Sequence, residues 1–501
     1  MLEHFLKLAR KSAVYLLATG IPVFLGVLLL PLYTRFLTPE EYGITSVAAS
    51  VTAFLSIFCQ LGLLAAYLRF YFDYRQNGAE LKRLISTVTI FLTLYGLVLS
   101  TTITLFGQPL EMLIPGVAFS PYIQMAVWSS YFSLIFMLRL GLYQAEQKAN
   151  KYLLFSAAQI AVTTVLTILL VVFLKQGALG YIGAQLVSNA IFSVVSLWLL
   201  RQHLALIVDP TKLKAALRYG LPLIFHSLGA WMYSAADRLL LNDLVGTAET
   251  GLYTVGFQVG QAVNLIASVI NFAWSPYFFS LMADRGDAAK GEVGRFTTYW
   301  VMAMCFVFLL ISVFSRELVA LLAAAPYREA YRVVPLVALG FLFGGLYYVV
   351  VNPLFWLGKT RIIATGTLTS GVLNVALNLT LIPQMQMMGA ALATALSSLY
   401  CFLFIAFFSL RLFPVPYEYR RLVKISIATV ACYLLSLAVA DPGGFRIVFA
   451  AKLAIVILFP ALIIFLRFLD SQEKRAVKDF FQAGVQWCYG KMSLRKGNKS
   501  P

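Results

Sequence analysis

The sequence predicts an all-α integral membrane protein: about fourteen transmembrane helices, forming two pseudo-symmetric six-helix lobes around a central cavity, with two extra C-terminal helices. Three observations lead there. The 501 residues are 60% hydrophobic and 12% charged, with mean hydropathy +0.83, whereas soluble domains carry about 25% charged residues. Apolar windows of the ~20 residues needed to cross a ~30 Å hydrocarbon core recur along the whole chain. A short stretch that opens the second window also recurs at the opening of the eighth.

The windows begin near Ala13, Ile44, Leu84, Pro121, Leu153, Gly180, Tyr219, Gly251, Phe296, Val333, Ile362, Gly389, Leu422 and Ile447. The first exceeds the ~7–15 residues of a signal-peptide core and has no small-residue cleavage site, so it reads as a helix. Lysine and arginine in short loops are retained on the cytoplasmic side. With the amino terminus inside, only Arg35, Lys175, Arg316, Arg328, Arg332, Arg446 and Lys452 fall outside, and Arg139 and Arg238 sit within spans. All other basic residues fall inside, so both termini are expected in the cytoplasm. The net charge of +18 is thereby a topology signal, and nucleic acid is not an expected partner.

Between the first two windows, "RFLTPEEYG" starts at Arg35. Arg35 suits a helix carboxyl end, while Thr38, Pro39 and Glu41 fit an N-cap, a first position and a capping box. "EYGITSVAASV" from Glu41 can be laid on "ETGLYTVGFQV" from Glu249, and "GIP" at Gly20 on "GLP" at Gly220. Windows 1 and 2 thus resemble windows 7 and 8. Two such six-span halves related by an axis along the membrane normal are a transporter architecture. The expected divisions are an N-terminal lobe at 1–205, a C-terminal lobe at 206–415, the last two helices at 416–470 and a basic amphipathic tail at 471–501. That tail suits either an interfacial helix on anionic lipid or a disordered basic segment.

Polar side chains within spans are costly against lipid and should face protein or water. In window 8, Gln258, Gln261, Asn264, Ser268 and Asn271 fall within an arc of roughly 140°. Ser50, Ser56 and Gln60 form a weaker stripe in window 2. Both stripes fit a hydrophilic path or interhelical hydrogen bonds. In window 7, His226, Tyr233 and Asp237 share one face, as part of a proton relay for ion coupling or as a packed histidine beside an Asp237–Arg238 pair. Arg139, on the broad face of Gln124, Trp128 and Tyr131, has two open roles, as does Arg69. Each either snorkels to headgroups or meets an anionic group such as a pyrophosphate, and Trp128 and Tyr131 would suit sugar faces. Asn374 and Asn378 lie one turn apart, and Gly256, Gly260, Gly340, Gly344 and Gly389 would permit close helix packing. The five cysteines show neither paired nor metal-ligand spacing, so no metal or cofactor is expected.

Several stretches together resemble the polysaccharide transporter family, the O-antigen flippases of the multidrug/oligosaccharidyl-lipid/polysaccharide exporter superfamily. They are "RFLTPEEYG" from Arg35, "DRLLLNDLVGTAETGLY" from Asp237, "WLGKTR" from Trp356, and "NVALNLTLIP" from Asn374 followed by "GAALAT" from Gly389. The resemblance implies two lobes in a V and alternating access for an undecaprenyl-pyrophosphate-linked oligosaccharide in a bacterial or archaeal cytoplasmic membrane. Membrane lipid and other polysaccharide-assembly proteins are its implied partners. The Asn- and Arg-rich signatures of peptidoglycan-precursor flippases are not evident.

Other functions fit less well. A multidrug/cation antiporter should prefer acidic cavity residues, and Asp237 is the one carboxylate within a span. A membrane-embedded polymerase or glycosyltransferase needs acids or a nucleophile on a sizeable outer loop, yet the loops around Glu111 and Glu317 are short. "GKT" at Gly358 lacks the glycine loop of a nucleotide-binding motif. The expected protein is therefore a flippase and not an enzyme.

Overall fold

The computed structural model describes residues 20–22, 24–205, 207–439 and 445–465, so the basic tail and the start of the first window lie outside the described residues. Among them the chain is helical and no strand occurs. Ten stretches are long and apolar enough to cross a membrane, the longest, Thr247–Val313, containing several helices in series.

Helix α1 (Gly20–Phe36) meets α2 (Pro39–Gln60) at the expected box. Thr38 Oγ1 accepts from the Glu41 N–H at 3.2 Å, and Glu41 Oε2 accepts from the Thr38 N–H at 2.9 Å. Leu61 and Gly62, at φ 48° and 68°, end α2 in the left-handed region, and α3 (Leu63–Tyr74) continues the same window. Glycine is required at 62 on two counts, since a Cβ there would also lie 2.2 Å from the Gly220 carbonyl oxygen. Asn77 caps α4 (Gly78–Phe106). Next come α5 (Gln124–Ala145), α6 (Ala149–Thr167) and α7 (Gly177–Leu200).

Asp209 caps α8 (Pro210–Ser234) by accepting from the N–H groups of Thr211 and Lys212. Ala235, at φ −142° and ψ −18°, interrupts the rod, and α9 (Ala236–Leu244) follows. The eighth window comprises α10 (Thr247–Gly260) and α11 (Ala262–Arg285). After them run α12 (Lys290–Val313), α13 (Ser315–Leu322), α14 (Val334–Trp356), α15 (Thr360–Met385), α16 (Met387–Leu412), α17 (Tyr419–Leu437) and α18 (Phe445–Phe465).

These helices form two compact units. In the smaller, residues 291–313 of α12 join α17 and α18 through the ring contacts Phe308–Tyr433 and Phe306–Phe459, with Cys305 and Cys432 buried. The larger contains everything else up to Val415. Within it, α14 and α15 pack on α16, α5 on α7, and α8 on both α3 and α15. Small residues set these distances, as expected where lipid removes the hydrophobic drive between helices. A Cβ on Gly256 would sit 2.5 Å from the Ala330 carbonyl oxygen, and one on Gly389 would sit 2.3 Å from that of Leu381.

The tightest crossing joins α2 to α10, and it is symmetric. A Cβ on Gly43 would lie 1.8 Å from the Thr247 carbonyl oxygen; a Cβ on Gly251 would lie 1.9 Å from that of Pro39. Each partner is the repeat equivalent of the other. One turn on, the Thr254 hydroxyl donates to Ser46 Oγ at 2.8 Å, again between residues 208 apart in sequence. The repeat read from Glu41 and Glu249 therefore meets itself along a local two-fold axis at this crossing.

Candidate functional site

Inward from that crossing lies a cavity of about 940 Å³ between α2, α7, α8, α10, α14 and their neighbours. Small and hydroxyl residues at helical spacing on α2 (Thr45, Ser46, Ala49, Ser50, Thr52, Ala53) leave its wall open. The facing walls carry amides (Gln185, Gln258, Gln261, Asn264) and rings (Tyr181, Tyr233, Tyr347, Tyr348, Phe257, Phe341), and Tyr42 adds a ring from α2. Polar side chains at this density are tolerable within a membrane span where they face water or a polar ligand.

Several of these side chains are fixed in place. The Tyr42 hydroxyl donates to Gln258 Oε1 at 3.0 Å and the Tyr233 and Ser398 hydroxyls pair at 2.6 Å, while Trp231, outside the lining set, donates from Nε1 to the Ser50 carbonyl at 3.1 Å. Arg238 is the one Lys, Arg, Asp or Glu among the described lining residues. Its Nη1 donates to the Ser234 carbonyl at 2.7 Å and to Asp237 Oδ1 at 3.0 Å, and its guanidinium lies 4.2 Å from the centre of the Phe257 ring. Asp237 is buried behind it and also accepts from the Tyr253 hydroxyl. The wall thus presents one cation anchored from behind by a carboxylate, amid hydroxyl, amide and aromatic groups. That combination can hold a sugar by stacking and hydrogen bonding and place a guanidinium beside an anionic group.

The residues expected from sequence divide sharply. Gln258, Gln261, Asn264 and His226 line the cavity, as do Tyr233 and Ser50. Asp237 does not, because the break at Ala235 turns α9 and carries its carboxylate to Tyr253. Gln60, half-buried, lies outside the lining set. Asn271 lies further along α11, where its Oδ1 faces Asn352 Nδ2 at 3.4 Å. Arg69 is exposed and paired with Asp73 at 2.6 Å. Trp128 and Tyr131 pack edge to face with each other, and Tyr131 covers Gly96 on α4. Arg139 is buried off the cavity, above the Tyr143 ring.

Asn374 and Asn378 form a buried chain, Asn378 Nδ2 donating to Asn374 Oδ1 at 2.9 Å and Asn374 Nδ2 to Ser397 Oγ at 3.0 Å. Gly344, expected at a packing contact, opens onto the cavity instead. Sequence reasoning missed Tyr42, Tyr181, Gln185, Tyr347, Tyr348 and, as a cavity group, Arg238. Tyr181 and Gln185, four residues apart on α7, carried a usable helical signal.

The family model described as "Polysaccharide biosynthesis protein" matches residues 8–282. The chain is 22% identical over 377 residues to the "Lsg locus putative protein 1" of Haemophilus influenzae, covering 74% of this chain and 90% of that one. It is 24% identical over 176 residues to the "Probable low-salt glycan biosynthesis flippase Agl15" of Haloferax volcanii, covering 35% and 37%. A structure of the lipid II flippase MurJ in an inward closed conformation superposes with TM-score 0.69 at 13% identity, over 92% of this chain and 99% of that one. An inward-facing multidrug resistance MATE transporter of the MOP superfamily gives 0.54 at 16% identity, over 79% and 93%. The fold is that of MOP-superfamily transporters.

Proposed function

The chain belongs to the polysaccharide biosynthesis protein family, and from that premise we propose that it is a flippase for an undecaprenyl-pyrophosphate-linked oligosaccharide. Family and fold point to a transporter rather than an enzyme. The observation that carries the substrate reading is the cavity wall itself, with hydroxyls, amides and tyrosines around the single guanidinium of Arg238. Sugars would stack on Tyr181, Tyr347 or Tyr348 and bond to Gln258, Gln261 and Asn264. Arg238 would meet the anionic linkage, and the prenyl tail would stay in lipid.

In this reading 1–205 and 206–415 act as lobes that rock about the cavity, and both termini face the cytoplasm of a bacterium or archaeon. The crossing of α2 and α10 then closes the outer end. His226, the one histidine among the described lining residues, is the group through which a proton gradient would couple, while Asp237 holds Arg238 in place by an ion pair at 3.0 Å. The absence of a carboxylate from the described lining residues disfavours a cation antiporter. Reconstitution into liposomes with a fluorescent lipid-linked oligosaccharide tests the proposal: protein-dependent accessibility of the sugar in the opposite leaflet is expected. Translocation of a cationic dye but not of the sugar lipid would overturn it.

A further inference from the structure

Arg139 presents a different chemistry from the cavity. The residue is 6% exposed, its guanidinium lies 4.0 Å from the centre of the Tyr143 ring, and its Nε and Nη1 have no hydrogen-bond partner. Nearby, the hydroxyl of Tyr67, a residue 1% exposed, is also unpartnered, as is Nδ1 of His203. Tyr67 packs in one buried cluster with Leu138 and Leu142, which flank Arg139 on α5, and Ser86, whose hydroxyl donates to the Lys82 carbonyl at 2.7 Å, accepts from the N–H of Ala205 beside His203 at 2.6 Å. Glu146 is already engaged, with Lys148 Nζ at 2.8 Å and His203 Nε2 at 3.6 Å.

The balance of this cluster is uneven. The carboxylate of Glu146 pairs with Lys148 and His203 and not with Arg139, whose Nε and Nη1 are left without an acceptor. A desolvated guanidinium with idle N–H groups is unfavourable unless something accepts from it. The aromatic face of Tyr143 offsets its charge but accepts none of its in-plane hydrogen bonds. A water molecule would take a proton donor but leave the excess charge. Lys148 and Lys82, both largely exposed, form a basic rim from which a small anion could be passed inward.

We propose that Arg139 and Tyr67, rimmed by Lys82 and Lys148, form a binding site for a phosphate group, separate from the transport cavity. The group is supplied either by free phosphate or by an anionic phospholipid headgroup. The site needs no assumption about the transported substrate, because none of its residues lines the cavity.

The test uses the full-length protein stripped of lipid in detergent and, in parallel, in nanodiscs. Radiolabelled inorganic phosphate is titrated in the first, and phosphatidylglycerol retained against phosphatidylcholine is measured by native mass spectrometry in the second. Saturable occupancy is expected in one arm, which identifies the source. Arg139→Gln should weaken it about tenfold or more, as for a charge-assisted bond, and Tyr67→Phe by a smaller factor without disturbing the fold. Glu146→Gln removes the competing negative charge and should tighten it, a change that a purely structural cluster would not give. No saturable occupancy in either arm, or affinities unmoved by Tyr67→Phe and Glu146→Gln, would overturn the proposal even if Arg139→Gln did not fold.

Discussion

Gly43→Ala is the most informative single perturbation, because the structure fixes how far the helices must yield. The new methyl would start 1.8 Å from the Thr247 carbonyl oxygen, against the 3.0 Å below which real Cβ contacts essentially do not occur, so α2 and α10 must part by about 1.2 Å. That displacement lengthens the Thr254–Ser46 bond, now 2.8 Å, and the Tyr42–Gln258 bond, now 3.0 Å, beyond hydrogen-bonding distance. Losing two such bonds in a partly buried crossing costs the closed arrangement about 2 kcal/mol or more, roughly thirtyfold in the ratio of closed to open states. Cysteines placed at Ala49 and at Gln261 on the cavity wall should then react faster with a membrane-impermeant thiol reagent added outside. A double electron–electron resonance distance between labels on the first turns of α2 and α10 should show a longer population. Unchanged labelling together with an unchanged distance would refute the claim that this contact closes the cavity. Gly251→Ala should reproduce the effect, since its methyl meets Pro39 in the same way.

Glu41→Ala removes the bond that Oε2 accepts from the Thr38 N–H, while the backbone N–H of residue 41 still donates to Thr38 Oγ1, and should lower thermal stability by about 1 kcal/mol while leaving sugar selectivity intact; a changed selectivity at constant melting temperature would contradict this. Asp237→Asn strips the carboxylate from behind Arg238 and should cost about 3 kcal/mol, read by thermal unfolding in detergent; full stability would mean that the pair is dispensable. If His226 carries coupling, His226→Gln flattens the pH dependence of translocation, and an unchanged profile in both His226→Gln and Asp237→Asn removes the relay. Arg69→Ala, at an exposed pair with Asp73, should leave the transport rate within about twofold, and a collapse in rate would place Arg69 on the substrate path.

Much of the fold was legible because its signals are local. A run of apolar residues reports a span wherever it sits, and the Thr38–Glu41 box formed from the four residues that encode it. The repeat was legible for a further reason: Gly43 and Gly251 can only be glycine at a crossing this close. The amides of the eighth window were legible as polar groups in an apolar helix, and three of them reached the cavity. What failed was neighbour identity. Helical spacing put Arg139 on a face with Trp128 and Tyr131 but could not say that α3 and α4 cover that face. Asp237 was misplaced relative to His226 because the break at Ala235 has no proline or glycine to announce it. Arg238 was overlooked for the same reason, since rotation of α9 alone turns it toward the cavity.

The crossing of α2 and α10 has a consequence beyond the packing of this chain. Its two faces are copies of each other, with glycine against carbonyl on both sides and hydroxyl against hydroxyl on the axis. A surface of that kind is its own complement, as in an isologous dimer. A second copy of the segment from Pro39 to Ser46 would offer the same glycine and hydroxyl that its counterpart from Thr247 to Thr254 offers here. Two copies of one half joined end to end would bring the same glycines and carbonyls into register, which is the arrangement that Gly43 and Gly251 keep here.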